Sequence, residues 1–175
     1  MSYPEYVACH IASPWATNAN EPPAGQLRFV LPEVTKFISS LFKATTDLLP
    51  SKYFSTGGDE LNLNCYVNDT VTRDYLTSTN TTLEQGLDTF TKDTHQTLVD
   101  AGKTPVVWQE MVLSHNVTLK NDTLVIVWIS SDDARLIAQA GYSIIHAPVT
   151  NFYLDVGMGG WIGDVSRASI VCGGE

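Results

Sequence analysis

The chain is predicted to fold as an α/β protein on a parallel sheet, from three observations. Short apolar runs recur near residues 53, 106, 125 and 143, amphipathic helical stretches separate them, and the chemically unusual side chains gather where those runs end. The first helix is read over Pro32 to Leu49. Pro32 suits its opening turn, Glu33 lies at its positive end, and Val34, Phe37, Ile38, Leu41, Phe42, Leu48 and Leu49 make one apolar stripe that Pro50 terminates. Tyr53 to Thr56 is a short strand that delivers the chain to Gly57. After a polar connection carrying Asn-x-Thr motifs, Leu83, Leu87, Phe90 and Leu98 mark a second helix, closed by Gly102, and Pro105 to Glu110 is the next strand. Leu124 to Ile129 is a third strand. Asp132 can cap a helix reaching about Ala140, which Gly141 ends, and Tyr142 to Ala147 is a fourth strand.

The stretch FSTGGDE poses a geometric problem. Neighbours on a regular strand point to opposite faces, so Asp59 and Glu60 can serve one site only if the pleat breaks between them. Gly57 and Gly58 permit that break, because glycine adopts backbone angles that a residue with a Cβ resists. The plainer reading is an acidic surface turn. Further along, strand ends carry Trp108 and Glu110, then Trp128, then His146 and the segment Tyr153 to Asp155. A (β/α)8 barrel assembles its chemistry at the C-terminal ends of its strands, so this distribution favours a barrel over a doubly wound sheet, although the latter also binds ligands there.

The length of 175 residues and a hydrophobic content of 43% allow one domain with a sizeable core. A formal net charge of -9 leaves no basic stripe for a nucleic-acid backbone and suits a neutral or cationic ligand. No apolar run is long enough for a membrane span, and the first residues lack the charged and apolar regions of a signal peptide. Asn68, Asn80, Asn116 and Asn121 each open an Asn-x-Thr acceptor, more than chance gives, and point to N-glycosylation and a secretory history for the parent protein. Cys9, Cys65 and Cys172 are odd in number, so at least one lacks a partner within the chain, which suggests a piece of something longer. The histidines His10, His95, His115 and His146 show no metal spacing, and no metal or cofactor is expected. His95 falls within a helical pattern and reads as a surface or satisfied core residue.

Taken together, FSTGGDE resembles the Gly-Gly-Asp-Glu signature of family 20 glycoside hydrolases, the β-N-acetylhexosaminidases. VVWQEM and VIVWIS are similar to the next two barrel strands of that family, NFYLDVGMGGW to its Tyr-Leu-Asp segment, and SPWATNANEPPAGQL, residues 13 to 27, to the connection before the signature in fungal members. The resemblance covers residues 3 to about 161. It implies a partial catalytic barrel over 1 to 161, about half of a (β/α)8 TIM barrel, with a divergent tail over 162 to 175 and an echo of a later Gly-Gly-Glu segment at the chain's end. The implied substrate is an oligosaccharide with terminal N-acetylglucosamine, and full-length relatives would be secreted and able to form homodimers.

Residue by residue, Glu60 matches the general acid/base, and Asp59 the group that grips the substrate's 2-acetamido group. Most retaining glycosidases use a second carboxylate as nucleophile, but this family is among the exceptions in which the substrate's own amide attacks. Trp108 and Trp128 match walls of the acetamido pocket, where plain core packing is the alternative. Tyr153 matches a donor to the acetamido oxygen, and Asp155 a ligand for outer sugar hydroxyls. Glu110 reads as a sugar ligand or a structural ion pair, with a structural role at the strand end preferred, and Cys65 as a partner for a cysteine outside the fragment. With only about four strands recognisable, little turnover is expected of the chain alone, since half a barrel leaves edges and an inner face uncovered. The acid spacing of the other substrate-assisted family, family 18, is absent. A non-catalytic carbohydrate-binding or partner-binding fragment is the remaining alternative, and Glu60 separates it from an enzyme.

Overall fold

The computed structural model describes residues 4–10, 17–20 and 25–153. Asp155, Trp161, Cys172 and the boundary at residue 161 lie outside the described residues. A 3-10 turn at Pro4–Tyr6 leads into β1, Val7–Ala8, which pairs antiparallel with β2, Gln26–Leu27. The main sheet has four strands in the order β3-β4-β5-β6: Tyr53–Gly57, Thr104–Trp108, Leu124–Val127 and Ser143–His146. Every neighbouring pair is parallel, and each strand adds beside its predecessor without reversal. The fold class read from the sequence, an α/β chain with a parallel sheet, is the one observed.

Helix α1, Pro32–Leu48, starts with Pro32 in its first turn and buries Val34, Ile38 and Thr46. The end of its apolar stripe departs from expectation. Leu48 is 81% exposed and Leu41 and Leu49 are exposed with it, while Phe42 and Thr46 in the same half of the helix face inward. The segment read as a polar connection after Glu60 is a correction of a different kind. It forms two helices, α2 at Leu63–Asn68 and α3 at Thr70–Thr79, capped by Asn62 and Asp69, whose side chains accept from the N–H of Cys65 and Thr72. Helix α4, Leu83–Asp100, carries a reciprocal capping box between Thr82 and Gln85. The strand expected to reach Glu110 ends at Trp108, since Gln109 is helical in conformation and Glu110 opens the short α5, Glu110–Leu113. Helix α6, Ser131–Gln139, is capped by Ser130 rather than Asp132, and α7 spans Val149–Phe152.

The core lies between the helices and one sheet face. Val107, Val125 and Val127 are fully buried, together with Val34 of α1, Leu98 of α4 and Ile137 of α6. Register places Ser55, Val106 and Leu124 on the other face, with Trp108 beside Ile126 and Ile145. That face is only partly covered: Ser55 and Ile145 are exposed, and Trp108 and Ile126 half-buried.

Cys9 and Cys65 form a disulfide with Cα atoms 5.9 Å apart across a sequence separation of 56. This corrects the expectation that Cys65 pairs outside the chain, for spacing along the sequence does not reveal that β1 and α2 meet. Beside it, Arg28 forms a double hydrogen bond to Asp69 at 3.0 and 2.8 Å. Burial works against that carboxylate, but hydrogen bonds from Arg28 and Thr72 outweigh it and hold Asp69 below the ordinary carboxyl range. Tyr66 donates its hydroxyl to Leu27 O at 2.9 Å, and burial, then the Asp69 charge, pushes its ionisation upward. Among the described residues no helix is long and apolar enough to cross a membrane, and no cluster of His, Cys, Asp or Glu is arranged to hold a metal.

Candidate active site

The pleat does break at the end of β3. Register shifts between Ser55 and Gly57, and φ is positive at Gly57, 77°, at Gly58, 98°, and at Glu60, 50°. Asp59 and Glu60 therefore leave the strand through a turn and are exposed. A left-handed conformation at a residue with a Cβ costs about 1–2 kcal/mol, so contacts around Glu60 have to hold it. Asn20 Nδ2 donates to the Glu60 carbonyl at 2.9 Å, and Asn20 Oδ1 accepts from Asn62 Nδ2 at 3.0 Å. Gln26 and Asn62 then exchange two bonds of 2.9 Å, Gln26 Nε2 to Asn62 O and Asn62 N to Gln26 Oε1. The acid turn is thus latched to Asn20 and Gln26 on one side and to the start of α2 on the other. Sequence reading found the two acids but missed Asn20, Gln26 and Asn62; the one local signal was an Asn three residues before Cys65, in cap position for α2.

Gly58 is required sterically as well as conformationally, for a Cβ there would run into Cγ of Met111 and lie 2.6 Å from its Sδ. Beneath the turn, Thr56 Oγ1 donates to Val106 O at 3.2 Å and lies 3.0 Å from His95 Nε2. One hydroxyl proton cannot serve both, so His95 carries its proton on Nε2 and donates to Thr56. Burial pushes His95 down to about 4. His95 is therefore a satisfied core residue, one of the two readings its sequence position allowed. It lines a mostly apolar cavity of about 340 Å³ with Phe29, Phe42, Phe90, Gly58 and Asp59. Among the described residues neither Trp108 nor Trp128 lines that cavity, so it is distinct from the aromatic cluster described next.

The exits of β4 and β5 carry that cluster. Trp108 and Trp128 meet edge to face, with centroids 6.4 Å apart at 80°, and Tyr153 lies against Trp128 with centroids 6.4 Å apart at 33°. The indole Nε1 of Trp128 donates to Glu110 Oε1 at 2.9 Å, a contact at the strand end made to a ring N–H rather than as an ion pair. His146, at the end of β6, is bonded instead to Ser131 Oγ at 3.1 Å and is edge-on to Phe152. The structure thus joins Trp108, Trp128 and Tyr153 directly. It sets Asp59 and Glu60 at the same end of the adjacent strand, since Gly57 pairs with Val107, the residue before Trp108. The sequon asparagines Asn68, Asn80, Asn116 and Asn121 are all exposed.

The sequence profile of "Glycosyl hydrolase family 20, catalytic domain" matches residues 1–172. The chain belongs to glycosyl hydrolase family 20. Among its relatives is a beta-hexosaminidase of Arthroderma benhamiae, 31% identical over 171 residues, which takes in 90% of this chain and 27% of that protein. Beta-hexosaminidase subunit A1 of Dictyostelium discoideum is 30% identical over 145 residues, 83% of this chain and 26% of its own length. This family 20 chain therefore spans about a quarter of the curated relatives it matches. Two solved structures share its fold. A Vibrio harveyi GH20 exo beta-N-acetylglucosaminidase in complex with N-acetylglucosamine superposes with a TM-score of 0.62 at 21% identity, covering 71% of this chain and 19% of the other. A beta-N-acetylhexosaminidase of Bacteroides fragilis gives 0.66 at 16% identity, covering 81% and 29%.

Proposed function

We propose that this chain carries the acid turn and acetamido pocket of a β-N-acetylhexosaminidase, an enzyme that removes terminal N-acetylhexosamine from chito-oligosaccharides or glycans with retention of configuration. One observation supports this most: three neighbouring parallel strands present, at a single end, two carboxylates on a broken pleat and two tryptophans in edge contact. Sequential strand order and a sheet face left partly open on the side of Trp108 fit an arc of a (β/α)8 barrel, with that face as the barrel interior.

In this reading Glu60 protonates the leaving glycosidic oxygen. Asp59 accepts a hydrogen bond from the 2-acetamido N–H and turns the carbonyl oxygen toward the anomeric carbon, which it attacks to close a cationic oxazolinium ring. The Asp59 anion offsets that charge, so it acts in the transition state more than in the ground state. Glu60, now a carboxylate, takes a proton from water as the water opens the ring. Trp108 and Trp128 hold the acetamido methyl and keep water from competing at the ring carbon, while Tyr153 donates to the acetamido oxygen. Asp155 is assigned to the outer hydroxyls of the sugar. The exposed sequon asparagines fit N-glycosylation during passage through the secretory pathway, and no cofactor is needed.

The test replaces, in a full-length relative carrying these residues, the match of Glu60 with Gln and, separately, the match of Asp59 with Ala, and measures hydrolysis of a chromogenic N-acetylglucosaminide alongside binding of N-acetylglucosamine. Glu60→Gln should remove turnover and spare affinity, whereas Asp59→Ala should weaken both. Turnover that survives Glu60→Gln refutes the assignment, and binding without any dependence of hydrolysis on Glu60 favours a non-catalytic sugar-binding role.

A further inference from the structure

Trp128 is gripped by two consecutive residues from the exit of the adjacent strand. Gln109, 2% exposed, accepts on Oε1 from the backbone N–H of both Trp128 and Ile129, at 2.8 and 2.9 Å. Its Nε2 donates to Asp133 Oδ2 at 2.9 Å, and the same oxygen accepts from Ser130 Oγ at 2.8 Å. Glu110 then takes the indole N–H on Oε1. Backbone and ring of one tryptophan are thereby fixed by a single Gln-Glu dipeptide, itself tied to the N-terminus of α6. To place that dipeptide the chain leaves the strand at Gln109 and starts a helix at Glu110.

The second oxygen of Glu110, Oε2, is buried and has no hydrogen-bond partner among the described residues. A buried carboxylate oxygen without a donor is destabilising, and an apolar side chain of similar size would avoid that cost. Retaining an acid there is consistent with a need for an acceptor at the indole nitrogen. Without Glu110, the ring of Trp128 keeps, among the described residues, its contacts with the rings of Trp108 and Tyr153, which tolerate sliding. A flat wall for a methyl group works only if its plane is held to within a fraction of an ångström.

We infer that Gln109 and Glu110 are positioning residues: they set the plane of the Trp128 indole and, through it, the affinity of the site for a 2-acetamido sugar. The affinity part rests on the reading of Trp128 as a wall of that pocket. Neither residue touches the substrate; both act through the tryptophan.

The experiment uses the full chain labelled with 15N at its tryptophan indoles, N-acetylglucosamine as probe and glucose as control. Glu110→Ala should move the Trp128 indole resonance toward its water-exposed position, speed its exchange with water and weaken N-acetylglucosamine binding about tenfold, the scale of one lost hydrogen bond to a charged group. Glu110→Gln, which keeps an acceptor oxygen, should restore both the resonance and the affinity. If Glu110→Ala does not fold, Glu110→Met fills the same space without an acceptor and carries the same expectation. Unchanged binding by a folded acceptor-less variant, in a chain whose wild type binds, overturns this inference alone. A wild-type chain that does not bind N-acetylglucosamine overturns the pocket assignment and this inference with it.

Discussion

Acidification from pH 7.5 to pH 4 should destabilise the fold through His95. In the folded chain burial lowers this imidazole from its ordinary 6.5 to about 4. Nε2 already carries the proton donated to Thr56 Oγ1, so the added proton goes to Nδ1 and charges a buried ring. The unfolded chain binds the proton from pH 6.5 downward and the folded chain does not until about 4, so the unfolded state gains with each step of acid in that window. The contribution of neutral His95 is complete above pH 6.5, is lost as pH falls toward 4, and changes no further below that, where both states are protonated. A shift of this size corresponds to about 3 kcal/mol of stability lost between pH 6.5 and 4. Asp69, whose carboxyl is lowered from 3.8, acts in the same direction but at still lower pH, so the two separate. Urea midpoints followed by circular dichroism across pH 4–7.5 measure the loss. His95→Gln keeps a donor to Thr56 and lacks the titrating group, so its midpoints should show the loss reduced by about that amount. Equal pH dependence in the wild type and in His95→Gln would show that the buried imidazole is not the cause.

Gly58→Ala should lower stability by about 1–3 kcal/mol in thermal melts, from strain at a φ of 98° and collision with Met111, and Met111→Ala should recover the second part only. Asp69→Asn should cost about 3–5 kcal/mol, since it leaves the guanidinium of Arg28 at 12% exposure without its counter-charge; a double variant Arg28→Met with Asp69→Leu should lose less than the single one. Reducing the Cys9–Cys65 disulfide, which closes a separation of 56 residues, should lower the unfolding free energy by about 4 kcal/mol, read as a fall in the urea midpoint with added reductant.

What could be read from the chain divides by how local its cause is. The four strands and the longer helices α1, α4 and α6 show in the pattern because each carries a run of apolar residues with its own period and stop signal, such as Pro50 and Gly141. Helices α2 and α3 did not show. They have 6 and 10 residues, their surfaces are Thr- and Asn-rich, and their caps Asn62 and Asp69 belong to residue types that also mark loops. The end of the strand at Trp108 was misjudged for a related reason, because Gln109 turns helical to bond backbone groups just beyond β5, partners 19 and 20 residues away. At the site, the glycine pair announced the broken pleat at Asp59 and Glu60. The residues that hold the turn did not announce themselves: Asn20 and Gln26 look like loop polars, and their bonds span 40 and 36 residues.

The two halves of the candidate site are therefore supported by different parts of the fold. The acid turn depends on a non-glycine residue in left-handed conformation, and its restraints run to Asn20, to Gln26 on β2 and, through α2, to the disulfide with Cys9. The aromatic wall depends on Gln109 and Glu110, whose bonds run to the residues just beyond β5 and to the first turn of α6. Loosening the β1–β2 pair should thus free the backbone at Glu60 while leaving Trp108 and Trp128 in contact, and loosening α6 should do the reverse. Local opening free energies differ across a fold in units of this kind. Amide hydrogen exchange on the reduced chain reads the difference: faster exchange around residues 58–65 with unchanged protection in β4 and β5 is the expected pattern. A uniform rise in both would mean that the acid and the wall open as one unit, and that the latch at Asn20 and Gln26 has no separate hold on the acid.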